Sequence, residues 1–243
     1  MGNFDGTVVE GMSALSGHHP VLDFIFLTLG ESYTFKLVPL IAGLFLVWSR
    51  DMVGRRQATV GAIGTFAALI LARIIQNFGP HRVRPISSPL FHFPGAARNT
   101  IVDWSSFPSD TTALACALAT SIFFASRKFG LLAFAWAALV AIAKLYGGYH
   151  YPTDVVVGAL IGIAATMITH RSTIMMNWIF ARLEVQRTRR PGLMAAVAFL
   201  AAFQLATFFN DVRVAAKAIH GQGSVAGRST ITYPLPAGAH QVR

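Results

Sequence analysis

The chain contains little charge and almost no cysteine. Of its 243 residues only 12% are Asp, Glu, Lys or Arg, whereas 54% are hydrophobic and the mean hydropathy is +0.54. This balance is too apolar for an ordinary soluble domain, and it predicts an integral membrane protein. The one cysteine, Cys116, lies in an apolar segment, which excludes a disulfide framework and a cysteine-based metal site.

Basic residues are missing from the start of the chain. The first 35 residues contain no Lys or Arg, although a cleavable secretory signal begins with a positively charged segment. We therefore expect no such signal, and the weakly acidic start favours translocation of the N-terminus. The formal net charge of +10 comes from basic residues in short clusters between apolar stretches, a pattern typical of membrane orientation. We predict no nucleic-acid partner.

Six apolar segments are long enough, or nearly so, to cross about 30 Å of hydrocarbon. They run from Tyr33 to Trp48, Thr59 to Gln76, Thr111 to Ala125, Phe129 to Tyr146, Val155 to Thr169 and Leu193 to Phe209. The predicted fold class is an all-α polytopic transmembrane helix bundle of about six spans plus interfacial helices. The segment Val21 to Leu29 is too short to span and is expected to lie in the interface.

The basic clusters follow every second crossing, which assigns those turns to the cytoplasmic side. The predicted organisation is an N-terminal segment with the interfacial helix (1–32), a transmembrane core (33–170), an interfacial helix with an extra span (171–210) and a non-cytoplasmic tail (211–243). The segment from Ser172 to Arg190 fits an interfacial helix and a plain basic connector equally well. The pair Gly158 and Gly162 indicates helix packing rather than chemistry.

Polar side chains gather in three loops on one predicted face, the non-cytoplasmic one. They are Arg82-Val83-Arg84-Pro85 after the second span, Phe107-Pro108-Ser109-Asp110-Thr111 at the start of the third, and Lys144 through Asp154 between the fourth and fifth. The free amides at the start of the third span form a ready anion site. Cations, a helix N-terminus and a histidine–aspartate pair therefore converge at one depth of the membrane.

This set of groups meets the needs of phosphoryl transfer. Arg84 offers a planar fork of donors to phosphate oxygens, and Lys144 offers a point charge. His150 is placed to attack phosphorus, with Asp154 holding the other ring nitrogen. In isolation, the segment from His150 to Asp154 is more simply explained by Thr153 or Asp154 capping the next helix. The two other polar loops favour the catalytic interpretation.

The three groups resemble the signature of the type 2 phosphatidic acid phosphatase superfamily, membrane enzymes that dephosphorylate lipid phosphates and pyrophosphates without metal. That signature is Lys-x6-Arg-Pro, Pro-Ser-Gly-His and Ser-Arg-x5-His-x3-Asp, in this order. The chain has Asn77-x6-Arg84-Pro85, Pro108-Ser109-Asp110-Thr111 and Ala143-Lys144-x5-His150-x3-Asp154. The resemblance covers roughly Tyr33 to Thr169. It is strengthened by two segments that flank the motifs, Trp104-Ser105-Ser106-Phe107 and Leu145-Tyr146-Gly147-Gly148-Tyr149.

The resemblance implies a membrane phosphatase that needs neither metal nor cofactor. His150 would be the catalytic nucleophile and Asp154 its partner. The expected phosphate-binding residues are Arg84, Ser109, Asp110, Thr111, Lys144, Asn77 and Arg82. The implied substrate is a lipid phosphate or an isoprenoid lipid pyrophosphate similar to undecaprenyl pyrophosphate, hydrolysed through a phosphohistidine. The expected partners are that lipid and the bilayer of a bacterial inner membrane, with the active site on the periplasmic face.

Two departures from the family pattern bear on the mechanism. Asn77 replaces the first lysine, and Arg73 or Arg82 is available to restore the charge. Thr111 replaces the histidine that protonates the leaving oxygen, which threonine cannot do at neutral pH. Either the leaving group is already acidic, or catalysis is weak, or another residue serves as the acid, the candidates being His81, His92 and Asp110. A phosphotransferase with the same intermediate and a non-catalytic lipid-phosphate binder are the alternative functions.

Overall fold

The computed structural model describes residues 3–94, 96 and 105–207. This part of the chain forms the helices α1 (Asn3–Leu15), α2 (Pro20–Glu31), α3 (Tyr33–Arg50), α4 (Met52–Phe78), α5 (Asp110–Ala125), α6 (Arg127–Tyr146), α7 (Pro152–Arg171), α8 (Thr173–Arg189) and α9 (Pro191–Thr207). A 3-10 turn, Pro85–Ser87, follows α4, and no strand occurs among the described residues. The predicted all-α class is therefore confirmed. The predicted tail (211–243) and Trp104 lie outside the described residues.

Polar side chains and amides define where several helices begin. Asp51 accepts a hydrogen bond of 2.6 Å from the amide three residues on, at the start of α4. Ser109 accepts one of 3.4 Å from the amide of Thr112 at the start of α5. At the start of α7 the amide of Tyr151 donates to Oδ2 of Asp154 over 2.9 Å. These bonds satisfy groups that a first helical turn leaves unpaired, so Asp154 does contribute to capping α7.

Helix α5 is the centre of the bundle. All of its residues from Thr111 to Ile122 are buried, and it packs against α3, α4, α6 and α7. Two glycines of α7 allow a close approach: a Cβ at Gly158 would come within 2.3 Å of the carbonyl oxygen of Ser109, and one at Gly162 within 2.1 Å of that of Ala113. The predicted packing role of this glycine pair is confirmed.

Three of the described helices, α4, α6 and α7, have the length and apolarity to cross a membrane. Helices α2 and α3 pass the same test as a pair but are bent by 61° at a short break, while α5 and α9 are apolar but shorter. The predicted count of six spans is thus approximate. The short helix predicted at Val21 to Leu29 is present as α2, and the segment from Ser172 to Arg190 is helical as α8.

The two basic turns at the start of α4 and the end of α7 share one end of the bundle. Nε of Arg55 lies 3.4 Å from Oε1 of Glu184 on α8, and Nε of Arg56 donates to Oδ1 of Asn177 over 2.7 Å. This proximity agrees with the charge pattern, which assigns both turns to one side of the membrane. The loops that carry the candidate site residues lie at the opposite end.

Helix α1 is a further element at that opposite end. It is absent from the prediction, which places a single interfacial helix in residues 1–32. Val9 of α1 is 1% exposed and packs in a cluster with Ile86, Phe93, Tyr149 and Tyr151. The hydroxyl of Ser13 donates to the carbonyl oxygen of His92 over 2.6 Å. Helix α1 is thereby docked on the loops around the candidate site.

Candidate active site

The three predicted polar groups meet where α4 ends and where α5 and α7 begin. The amide of Ser106 donates to the carbonyl oxygen of Arg82 over 2.8 Å, which joins the first loop to the second. The amide of Ser109 donates to the carbonyl oxygen of Asp154 over 3.0 Å, which joins the second to the third. The convergence predicted from the sequence is therefore present in the fold.

His150 is 2% exposed, and both of its ring nitrogens have defined neighbours. Nδ1 lies 2.8 Å from the carbonyl oxygen of Ser106, and Nε2 lies 3.3 Å from Nη1 of Arg84. Because a carbonyl only accepts and a guanidinium only donates, we assign the proton to Nδ1 and the lone pair to Nε2. The nucleophilic nitrogen thus faces Arg84.

The charge state of His150 follows from the same surroundings. Burial lowers the pKa of His150 well below its ordinary value, and the positive charge of Arg84 lowers it further. The carboxylate of Asp110 acts in the opposite direction but does not outweigh these effects. The imidazole is therefore neutral, as a nucleophile must be, over a wider pH range than a free histidine.

Asp154 is fully buried, but the prediction that it holds the ring of His150 directly is wrong. Its Oδ2 lies 3.9 Å from Nδ1 of His150, which is too far for a hydrogen bond. That oxygen accepts instead from the hydroxyl of Ser106 over 2.8 Å and from the amide of Tyr151. Since the carbonyl of Ser106 contacts the ring, the link between the histidine and the carboxylate passes through this serine. In the sequence, Ser106 is visible only as part of the segment Trp104-Ser105-Ser106-Phe107 beside the second motif.

Arg82 is predicted to bind phosphate, but its guanidinium has two carboxylate partners. Nη1 donates to Oδ1 of Asp154 over 2.6 Å and to the hydroxyl of Thr153, and Nη2 donates to Oδ2 of Asp5 over 2.5 Å. Its Cζ lies 3.9 Å from the centre of the Tyr151 ring. Burial alone would lower the pKa of Arg82, but the hydrogen bonds to Asp5 and Asp154 raise it. Arg82 therefore holds Asp154 in this structure.

Two lysines lie beside the site. Lys144 is 5% exposed, and its Nζ donates to the carbonyl oxygen of Gly30 over 2.7 Å and lies 4.7 Å from the centre of the Tyr149 ring. Lys36 of α3 is 4% exposed and lies close enough to interact electrostatically with Lys144 and Asp110. The sequence prediction omits Lys36, although a lysine inside an apolar segment is costly and marks a functional position by default.

Arg73 also faces the site, from the last turns of α4. Its Nη2 lies 2.7 Å from Oδ2 of Asp110, and its Nη1 donates to Oε1 of Gln76 over 3.1 Å. Nε2 of Gln76 in turn donates to the carbonyl oxygen of Pro108, which ties α4 to the loop before α5. Of the two arginines proposed to replace the missing first lysine, Arg73 is therefore the one whose charge lies at the start of α5.

Asn77, at the motif position of that lysine, is not buried in the bundle. It is exposed, whereas the preceding residue, Gln76, is 6% exposed and turned into the bundle. The helical rotation of about 100° per residue separates the two side chains. His81 and His92, two candidates for the general acid, are exposed as well. None of these three predicted side chains is buried with His150.

The start of α5 has fewer free amides than the sequence predicts. The amide of Ser109 donates to the carbonyl of Asp154, and its hydroxyl lies 3.0 Å from that of Thr112. The amide of Thr111 donates to Oδ1 of Asp110 over 2.7 Å. Asp110 therefore places a carboxylate where the sequence predicts that α5 binds phosphate, and Arg73 neutralises it.

Comparison with known proteins points to one family. Residues 58–178 match the PAP2 superfamily. "Bacitracin transport permease protein BcrC" of Bacillus licheniformis is 28% identical over 151 residues, which are 60% of this chain and 70% of that protein. "Undecaprenyl-diphosphatase BcrC" of Bacillus subtilis (strain 168) is 27% identical over 161 residues, 64% of this chain and 77% of that protein.

A solved structure gives the same result at the level of the fold. The crystal structure of Aquifex aeolicus LpxE matches with a TM-score of 0.52 and 28% identity, covering 68% of this chain and 93% of that one. The matched segment 58–178 contains Arg84, Lys144, His150 and Asp154, while Asp5 and Lys36 precede it. The chain belongs to the PAP2 superfamily.

Proposed function

We propose that this protein hydrolyses an isoprenoid lipid diphosphate through a phosphohistidine at His150. The observation that carries the proposal is the orientation of the ring, in which the carbonyl of Ser106 on Nδ1 directs the lone pair of Nε2 towards Arg84. Arg84 is 6% exposed and, like Lys144, is a buried cation suited to phosphate oxygens. A phosphate bound by Arg84 thus lies next to the nucleophile.

The proposed reaction has two steps. Nε2 of His150 bonds to the terminal phosphorus while the bond from phosphorus to the bridging oxygen breaks, and the lipid monophosphate leaves with the electron pair. Water then attacks phosphorus, the nitrogen–phosphorus bond breaks, and inorganic phosphate departs. The positive charge that forms on the ring is stabilised by the carbonyl of Ser106 and, behind it, by Asp154.

Among the described residues, Thr111 and the three candidate acids provide no buried proton donor beside His150, which favours a diphosphate substrate. Thr111 cannot donate a proton at neutral pH, and Asp110 is paired with Arg73 as a carboxylate. His81 and His92 are exposed. An alkoxide leaving from a phosphate monoester needs a proton, and loss of the acid slows its departure by about 10²–10⁴-fold. A lipid monophosphate, being acidic already, leaves without that help.

The charges around the site favour the same class of substrate. Four cations, Lys36, Lys144, Arg73 and Arg84, surround one carboxylate, that of Asp110. A diphosphate carries more negative charge than a monophosphate and therefore gains more from such a cluster. A relative that is itself named undecaprenyl-diphosphatase supports this choice. We also propose that the site faces the periplasmic side of a bacterial inner membrane.

Phosphate release by the purified protein tests the proposal. We expect turnover of a long-chain isoprenyl diphosphate to exceed that of phosphatidic acid and phosphatidylglycerol phosphate by about 100-fold, because only the monoesters need the missing acid. His150→Ala should abolish release, and unchanged turnover in this variant contradicts the nucleophile. Release of free phosphate with no acceptor present excludes a pure phosphotransferase. Binding of the lipids without turnover identifies a non-catalytic binder instead.

A further inference from the structure

Helix α1 contributes a carboxylate to the structure that lies behind His150. Asp5 is 5% exposed. Its Oδ1 accepts from the amide of Thr153 over 3.1 Å, and its Oδ2 accepts from the hydroxyl of Thr153 over 2.7 Å and from Nη2 of Arg82 over 2.5 Å. One carboxylate thus joins α1, the loop after α4 and the first turn of α7.

Asp5 is ionised in this environment. Burial raises its pKa, but the hydrogen bonds from Arg82 and Thr153 outweigh that effect, and the pKa is lowered overall. Charge-assisted hydrogen bonds to a guanidinium are short and directional, as observed here. The carboxylate of Asp5 is therefore a strong and geometrically specific partner for Arg82.

Asp5 is the first residue of a continuous series of hydrogen bonds that ends at His150, the proposed nucleophile. Nη2 of Arg82 donates to Asp5, and Nη1 of the same rigid guanidinium donates to Oδ1 of Asp154. Oδ2 of Asp154 accepts from the hydroxyl of Ser106, whose carbonyl accepts from Nδ1 of His150. Because the guanidinium is planar, a carboxylate on each side determines its orientation.

The rest of α1 holds Asp5 in place. Val9, one helical turn further on, is 1% exposed within an apolar cluster that includes Tyr149 and Tyr151, the neighbours of His150 in sequence. Ser13 and the backbone of His92 exchange two hydrogen bonds, of 2.6 and 3.2 Å. The orientation of Asp5 is therefore supported by the packing of the whole helix.

We propose that Asp5 is a positioning residue for the phosphatase reaction, holding Arg82 and, through it, the Asp154–Ser106 pair that orients His150. The proposal rests on the function proposed above for His150. None of the hydrogen bonds of Asp5 goes to the ring of His150, to Arg84 or to Lys144. Its loss should consequently slow the chemical step and leave substrate binding unchanged.

The variant Asp5→Asn tests this role, since it keeps the shape of the side chain and removes its charge. We expect kcat on isoprenyl diphosphate to fall about tenfold or more, with KM within about twofold of wild type. Asp5→Glu, which retains the charge, should recover part of the loss. Glu10→Gln is the matched control, because Glu10 lies on the same helix and is exposed. Its kcat and KM should equal those of wild type.

The variant Arg82→Lys tests the same series of hydrogen bonds at the partner of Asp5, because a lysine cannot bridge two carboxylates as a guanidinium does. We expect a similar loss of kcat, and the double variant with Asp5→Asn should be hardly worse than Arg82→Lys alone. Wild-type kcat in Asp5→Asn, or additive losses in the double variant, contradicts the proposal. A loss confined to KM contradicts it too and assigns Arg82 to phosphate binding.

Failure of the positioning role and failure of the phosphatase function give different results. If Asp5→Asn does not fold, as judged by size-exclusion chromatography and thermal unfolding in detergent, the kcat of Arg82→Lys decides the matter. An unchanged kcat there overturns the positioning role. An inactive wild-type protein, or full activity in His150→Ala, overturns the proposed function instead.

Discussion

Ser106 connects the parts of the candidate active site. Its amide donates to Arg82, its hydroxyl donates to Asp154, and its carbonyl accepts from His150. The carboxylate of Asp154 therefore acts on the imidazole indirectly, because it holds Ser106, whose carbonyl selects the tautomer of His150. A peptide carbonyl performs this selection as well as a carboxylate does, because it has no proton to donate.

The lowered pKa of His150 leads to a prediction for the pH dependence of activity. Protonation of Nε2 removes the attacking lone pair, so activity is lost as the pH falls through the pKa of the free enzyme. Burial and Arg84 lower that pKa, and the acid limb of kcat/KM should therefore lie below pH 6.5, the ordinary value for histidine. A pH–rate profile on isoprenyl diphosphate measures it. An acid limb at or above pH 6.5 would show that the ring is not held neutral.

Among the secondary-structure elements, α5 depends most on small neighbours. It is buried on all sides, and its backbone approaches α7 so closely that only glycine fits at Gly158 and Gly162. This contact also sets the distance between Ser109 at the start of α5 and Asp154 at the start of α7. Packing at the middle of the bundle and geometry at the site are therefore linked.

Gly162→Ala should destabilise the protein. The added Cβ would come within 2.1 Å of the carbonyl oxygen of Ala113, so the two helices must separate, at a typical cost of about 1–3 kcal/mol. Gly11→Ala on α1 is the matched control, since nothing lies within 4 Å of the Cβ that it adds. Alanine stabilises a helix by about 1 kcal/mol relative to glycine. Thermal unfolding in detergent compares the two. Equal midpoints for Gly162→Ala and wild type would contradict the close contact.

Helix α1 shows how an element can escape sequence analysis. Its residues carry no catalytic or binding motif, and its acidic side chains indicate only a bias towards translocation. The role of Asp5 appears when α1 packs beside residues 77 and 148 positions further along the chain, Arg82 and Thr153. No local sequence pattern indicates a contact between residues so far apart along the chain.

For the molecule as a whole, the fold class, the family and the lipid-phosphatase type of enzyme are confirmed. The basic turns and the candidate site occupy opposite ends of the bundle, which agrees with one side being cytoplasmic. The sidedness itself stays a prediction, as do the domain limits at residues 32, 170 and 210.

Cysteine labelling tests the sidedness. The native Cys116 is 7% exposed within the bundle and should not react, so single cysteines can be introduced at exposed positions at the two ends. We expect His81→Cys, near the site, to react with a membrane-impermeant maleimide in intact spheroplasts. Lys128→Cys, in a basic turn, should react only after lysis. The reverse pattern would place the site on the cytoplasmic side.

The amino-acid sequence was sufficient for the properties that depend on composition and local order. Long apolar segments require a membrane, and the order and spacing of Arg84, Ser109, Lys144, His150 and Asp154 are sufficient to indicate the family. The placement of these groups in loops at one end of the bundle follows from counting the helices between them. For these features the sequence analysis and the structure agree.

The partners of each charged group required the folded chain. The fold directs Arg82 to Asp5, turns Asn77 outwards, brings Lys36 beside Lys144, and places Ser106 between the histidine and the carboxylate. Each of these outcomes depends on ångström-scale distances between segments that are far apart in sequence, set by how closely the helices pack. Hydrogen bonds weaken steeply when such distances and their angles change, so residue spacing along the chain does not determine which groups pair.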